Sequence, residues 1–147
     1  MSSMLKIRLW SEADLPLIMD AENACFTDPW TENMITAEYA RNDFFGLIAE
    51  DEGVFVGYVA ATALFEDGEI AKIAVLPDFR GKGFGKLLMD EAFAEFKKRG
   101  VERVFLEVRE GNVPAVGLYL DCGFQKTRLR KRYYPDGENA LEMKKEL

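Results

Sequence analysis

The stretch VLPDFRGKGFGKLLMDEAF, from Val75 to Phe93, sets Gly81, Gly83 and Gly85 among Arg80, Lys82 and Lys86, then turns helical. Glycines that open a helix let backbone N–H groups approach an anion closely, and the helix N-terminus favours negative charge, so the stretch reads as a phosphate cradle. Two lookalikes fail on spacing. A nucleotide P-loop needs G-x-x-x-x-G-K-[ST], but Arg80 stands where the first glycine belongs and Leu87 where the metal-binding hydroxyl belongs. A dinucleotide fingerprint needs G-x-G-x-x-G in an early parallel β-α-β unit, whereas the spacing here is 81, 83, 85 after strands that read as hairpins. Glycines that only turn the chain would leave the three cations beside them unexplained. What remains is R-x-x-G-x-G, carried by Arg80, Gly83 and Gly85.

Working outward, IAKIAVLP predicts a strand stopped by Pro77, and a helix follows from about Gly83 to Lys98, with Leu87, Leu88, Glu91, Ala92 and Phe96 at helical spacing and Gly100 at its end. Upstream, a strand is expected over 4–9. Ser11 and Asp14 resemble a capping box for a helix to about residue 25, striped by Leu15, Ile18, Met19 and Cys25. FTDPW breaks that helix, and Thr31 can cap a second one through Arg41. FFGLIAED and VFVGYVAATALF, joined by DEG, predict an antiparallel hairpin, and EDGE a further turn. Downstream, VERVFLEVRE, with Val104, Phe105, Leu106 and Val108 close together, predicts a strand buried on both faces. Asn112 can cap a helix over 113–121, with Pro114 in its first turn and Gly123 closing it. FQKTRLRKRYY and ENALEMKKEL flank the turn signal PDG. The order is β-α-α-β-β-β-α-β-α-β-β, mixed α/β in a single domain over 1–147.

Totals bound the function. The 147 residues suffice for one core, with 48% hydrophobic and 31% charged side chains. The absence of histidine excludes a Ser-His-Asp triad and a His-based zinc site. Cys25 and Cys122 have no metal-like spacing and suggest reduced thiols in a cytoplasm. No apolar run reaches membrane length and the start lacks a leader's apolar core, so a cytoplasmic protein without membrane attachment is expected. The net charge of −7 argues against general nucleic-acid binding. That charge is uneven: −11 over residues 1–70 and +4 over 71–147. Such asymmetry suggests a basic ligand near the first half and an anionic one near the second, or simply a solvated surface.

The R-x-x-G-x-G loop between IAVLP and an amphipathic helix resembles the acyl-CoA pyrophosphate loop of the GNAT N-acetyltransferases. Further motifs, CFTDPW, LEVREGNVPAVGLYLDCGF and RKRYYPDGENALEM, are similar to the bacterial ribosomal-protein-alanine N-acetyltransferase branch; together they span about residues 22–143. The resemblance implies a GNAT fold with a mixed, mostly antiparallel twisted sheet flanked by helices. It implies acetyl-CoA as co-substrate, with no metal, bound by the backbone of Ile73, Ala74 and Val75, by the loop Arg80, Gly81, Lys82, Gly83, Phe84, Gly85 and Lys86, and by Asn112 and Tyr119. Glu107 would be the general base, Tyr119 the general acid, and Trp30, Tyr133 and Tyr134 the walls around a protein N-terminus. Two departures stand out: Pro114 and Gly117 occupy helix positions where alanines are more usual, and Gly81 stands where a basic residue is frequent.

The chemistry is sound apart from the resemblance. An α-amine is partly protonated at neutral pH and must lose a proton before it attacks a thioester. Burial among Val104, Phe105, Leu106 and Val108 would raise the Glu107 pKa, although a strand-end carboxylate paired with Arg103 or Arg109 is the plain alternative. Tyr119 is either the acid or an aromatic packed on a helix face, and Trp30 either a wall or core. Cys122 could carry acetyl covalently, but nothing here activates it, so direct transfer in a ternary complex is preferred. Glu22, Asp28 and Glu32 would lend the entrance negative charge. The cations Lys126, Arg128, Arg130, Lys131 and Arg132 read as a solvated strand edge that discourages sheet pairing, or as a contact to phosphate. The expected activity is Nα-acetylation of the N-terminal alanine of small-subunit ribosomal protein eighteen. Alternatives are a lysine side chain, other N-termini, a small amine, or a non-catalytic acyl-CoA sensor; the chain is expected as a monomer or weak dimer.

Overall fold

In the computed structural model, residues 5–147 are described, so Met4 of the expected first strand lies outside them. The elements are β1 (Leu5–Leu9), α1 (Leu15–Cys25), α2 (Glu32–Tyr39), β2 (Phe44–Asp51), β3 (Val54–Leu64), β4 (Asp67–Val75), α3 (Phe84–Lys98), β5 (Arg103–Arg109), α4 (Val113–Asp121), β6 (Gln125–Arg130) and β7 (Ala140–Glu146). Their order is the one the sequence predicts. The strands form a seven-stranded sheet, β1-β2-β3-β4-β5-β7-β6. Each neighbouring pair is antiparallel except β4 and β5.

Helices cover both faces. On one, α3 buries Phe84, Leu88, Met89, Ala92, Phe93 and Phe96 against Phe45, Val59, Ile70, Val104 and Met143. Burial of this kind contributes about 1.5–3 kcal/mol for each large apolar side chain. Glu91, which shares the predicted stripe, is exposed; Met89 and Phe93 complete the buried face in its place. On the other face, α1 buries Ile18, Ala21 and Glu22 over Tyr58, Ala60 and Ala74. Asp14 accepts from Ser11 N and Oγ at 2.7 and 3.0 Å and pairs with Arg8, fixing the turn that leads into α1. Thr31 Oγ1 accepts from Met34 N at 3.2 Å, and α2 ends at Tyr39, before Arg41.

Three expectations are corrected. β5 is not buried on both faces: Val104, Leu106 and Val108 enter the core, whereas Phe105 and Glu107 stand exposed on the open face. The EDGE turn is shorter than predicted, because Asp67 already pairs with Leu64 and Phe65 takes the left-handed bend at φ 54°. The terminal hairpin carries a long connection over 131–139, within which Tyr134 O accepts from Gly137 N. β6 is an edge strand, and its cations are exposed or half-buried. Two of them meet Glu142 of β7, Arg130 at 3.0 Å and Arg128 at 3.9 Å.

Candidate active site

The site arises where the sheet splits. β4 and β5 pair in parallel only from Asp67–Glu69 to Arg103–Phe105. Beyond that point β4 continues to Val75 and β5 to Arg109, leaving their facing edges without ladder partners, although backbone N–H and C=O groups require partners of some kind. The wedge between them is a cavity of about 1050 Å³.

At one end of the cleft lies the glycine loop. Gly81 and Gly83 adopt φ values of 78° and 85°, in the left-handed region that costs other residues. Gly83 is the N-cap of α3 and supplies no capping side chain, so the first N–H groups of this fifteen-residue helix are left for an outside partner. Gly85 serves a different purpose: a Cβ there would stand 3.3 Å from Leu118 Cδ2, so α3 and α4 approach closely. Arg80 and Lys86 line the cavity, whereas Lys82 turns over the Phe79 ring at 5.7 Å and does not. Arg80 Nε donates to Val75 O at 2.8 Å, tying the loop back to the end of β4. Positive side chains, uncapped helix amides and an open strand edge together fit a diphosphate with an amide-bearing arm.

The middle of the cleft collects the residues singled out for chemistry. Glu107 and Tyr119 line the same cavity, as do Ile73, Ala74, Val75, Phe84 and Asn112. Glu107 makes no ion pair with a described residue: Arg103 pairs with Asp67, and Arg109 with Asp28, Asp136 and Glu138. The strand-end pairing weighed for Glu107 is therefore absent, and so is the burial expected of it. Tyr119 is 8% exposed, and burial pushes its phenol well above the ordinary range. Asn112 Oδ1 accepts from Ala115 N at 3.3 Å, capping α4. Cys122 is buried in the core beneath α3, where loss of water pushes its thiol up, and it does not line the cleft.

The other end is aromatic and carries both signs of charge. Trp30, Tyr133 and Tyr134 line it with Asp28, Glu38 and Glu69 and with the cations Lys72 and Arg109. Trp30 is half-buried, packing on the α1-side core and also lining the cavity. The Tyr133 and Tyr134 rings meet edge-on at 5.2 Å. Arg109 lies 4.1 Å from the Tyr134 ring centroid and joins Asp28 of the FTDPW loop to Asp136 and Glu138 of the β6–β7 connection. Glu32 is exposed and lies outside the cavity lining, and Glu22 is wholly buried, so of the three acids expected at the entrance only Asp28 is there.

Sequence reasoning missed Glu69 and Lys72. Glu69 is the last β4 residue bridged to β5, and partial loss of water, then the Glu107 charge, pushes its carboxyl up. Lys72 sits where the β3–β4 register slips, Ala60 opposing Lys72 and Ala61 opposing Ile70. The extra residue, Ala71, turns Lys72 onto the α1 face. Simple alternation would have put it on the α3 face, and no local signal marks the slip.

A fold, cleft and helix N-terminus of this kind define an acyl-CoA-dependent transferase. Residues 15–124 match the acetyltransferase (GNAT) family, and the chain belongs to that family. It is therefore a GNAT N-acetyltransferase with the mixed seven-stranded fold of that class, and enzymes of this class use acetyl-CoA. Among curated relatives, a Bacillus subtilis protein is 34% identical over 145 residues, covering 97% of this chain and 96% of its own. The [ribosomal protein bS18]-alanine N-acetyltransferase of Escherichia coli is 30% identical over 133 residues, 88% of this chain and 89% of its own. The crystal structure of the Escherichia coli ribosomal-protein-S18-alanine N-acetyltransferase superposes with a TM-score of 0.91 at 29% identity, covering 97% of this chain and 94% of that one. No helix among the described residues is long and apolar enough to cross a membrane, and these residues hold no group of His, Cys, Asp or Glu that could bind a metal.

Proposed function

We propose that the protein is an Nα-acetyltransferase acting on the N-terminal alanine of small-subunit ribosomal protein bS18, by direct transfer in a ternary complex. The observation that carries the reading is that one cleft holds Glu107, Tyr119 and the uncapped N-terminus of α3 together with an aromatic mouth. The names of the relatives supply the acceptor.

Acetyl-CoA supplies the thioester carbonyl, and its diphosphate suits the loop from Arg80 to Lys86, with Ile73, Ala74 and Val75 along its arm and Asn112 beside it. The acceptor's α-amine enters from the opposite end, between Trp30 and the Tyr133–Tyr134 pair, where Glu69 and Glu107 are carboxylates with no ion pair to a described residue, whereas Asp28 is paired with Arg109. Glu107 takes the proton that the ammonium must lose before its nitrogen attacks. Tyr119, kept protonated by burial, holds the proton that the departing thiolate needs. No covalent acyl-enzyme is needed, and buried Cys122 is badly placed to form one.

Replacing the base while keeping its shape tests the roles. Glu107→Gln should lower turnover of an Ala-initiated peptide by roughly 10²-fold or more, with CoA affinity by calorimetry unchanged. Lost CoA binding with a residual rate like the parent's would contradict the assignment.

A further inference from the structure

Glu22 is a carboxylate with no exposed surface, placed by α1 within the core. Its two oxygens take donors from three other parts of the chain. Oε1 accepts from Lys72 Nζ of β4 at 2.8 Å and from the backbone N–H of Trp30 at 2.7 Å. Oε2 accepts from the Tyr58 hydroxyl of β3. The Lys72 side chain is 17% exposed, and its ammonium lies 4.1 Å from the Phe26 ring centroid and 4.9 Å from that of Trp30. One ion pair thus holds both aromatic residues and one backbone N–H of the loop over 26–31.

Such an arrangement is poorly explained by stability alone, because a buried ion pair often does no better than apolar residues of the same volume. It is well suited to fixing a position. The loop has other restraints: Phe26 N bonds to Glu22 O at the end of α1, Thr31 caps α2, Phe26 and Trp30 pack on the α1-side core, and Asp28 meets Arg109 at 3.2 Å on the surface. The Glu22 carboxylate is what ties it to β3 and β4 by polar contacts. The bulge at Ala71 is what turns Lys72 towards Glu22, and the next residue along β4 is Ile73, on the open edge of the cleft. The loop that walls one end of the cleft is therefore referenced to the strand that lines its middle.

We propose that Glu22, Tyr58 and Lys72 form a buried positioning unit that fixes Trp30 and its loop against β4, and so sets how firmly the acceptor N-terminus is held. None of the three transfers a proton in the reaction; they act through Trp30. The inference rests on the acceptor end assigned above, and its test separates the two.

Lys72→Met alone leaves the Glu22 charge buried without its cation and risks unfolding. The double variant Glu22→Gln/Lys72→Met removes both charges while keeping Tyr58 and Trp30 N partnered, and is the variant to compare with the parent. Steady-state kinetics with an Ala-Arg-initiated peptide should show its peptide KM raised about tenfold, with kcat and the acetyl-CoA KM within about twofold of the parent. Acrylamide quenching should rise in the double variant; of the two tryptophans, Trp10 is buried in the core, so the increase reports Trp30. An unchanged peptide KM in the folded double variant, or an acetyl-CoA KM that moves in step with it, would overturn the proposal. Should the parent acetylate no N-terminus, the acceptor reading fails by itself, and the quenching comparison still decides whether the unit holds the loop.

Discussion

At the residue scale, the chemistry turns on how differently the two central groups are housed. Tyr119 is almost wholly buried on α4, whereas Glu107 stands on the open face of β5. Burial raises the Tyr119 pKa, and the sign matters. A group that works protonated loses activity as pH rises through its pKa, so raising that pKa moves the alkaline loss to higher pH. Tyr119→Phe should therefore lower kcat by roughly 10²-fold while leaving the shape of the pH–rate profile between 7 and about 9.5 unchanged. An alkaline limb in the parent within that range, removed by the substitution, would contradict the account. The sequence named both residues, but it expected burial of Glu107 because it saw apolar letters on either side. Phe105 is one of those letters, and it lies exposed with the Lys144 ammonium 5.9 Å from its ring centroid. Composition along a strand does not report which face is covered. Lys72 was illegible for a sharper reason, since the one-residue slip at Ala71 reverses its face and depends on pairing with β3.

At the element scale, the glycine loop was readable because its demands are local. Gly81 and Gly83 need left-handed backbone, and nothing lies within 4 Å of where either Cβ would stand, so conformation alone accounts for them. Gly83→Ala should then cost about 1–2 kcal/mol of strain at the head of α3. Acetyl-CoA should bind about tenfold more weakly as the first-turn amides shift, with the peptide KM little changed. A variant with parental CoA affinity by calorimetry would remove this loop from the cofactor site. Helix caps at Thr31 and Asn112 were equally legible, because each is one side chain bonded to an N–H three residues on. The acidic clamp of Arg109 was not, since it joins Asp28 to Asp136 and Glu138 across most of the chain.

At the scale of the whole molecule, element order was legible, but the parting of β4 and β5 was not, because their parallel pairing ends at Glu69 and Phe105 and depends on the register of the folded sheet. The division of labour follows from that geometry. The glycine loop and helix amides sit at one end of the split and the aromatic side chains at the other, where Lys72 and Arg109 balance several of the carboxylates. The charge asymmetry between the halves of the chain is therefore not carried over as a simple division of the cleft. The central claim is that the aromatic end receives a free protein N-terminus. Its most direct test offers acetyl-CoA with two peptides, one beginning with a free Ala-Arg and one blocked at its N-terminus but holding an internal lysine, and locates the acetyl group by tandem mass spectrometry. The account predicts label on the α-amine of the first peptide and none on the second. Label confined to the lysine side chain would contradict it.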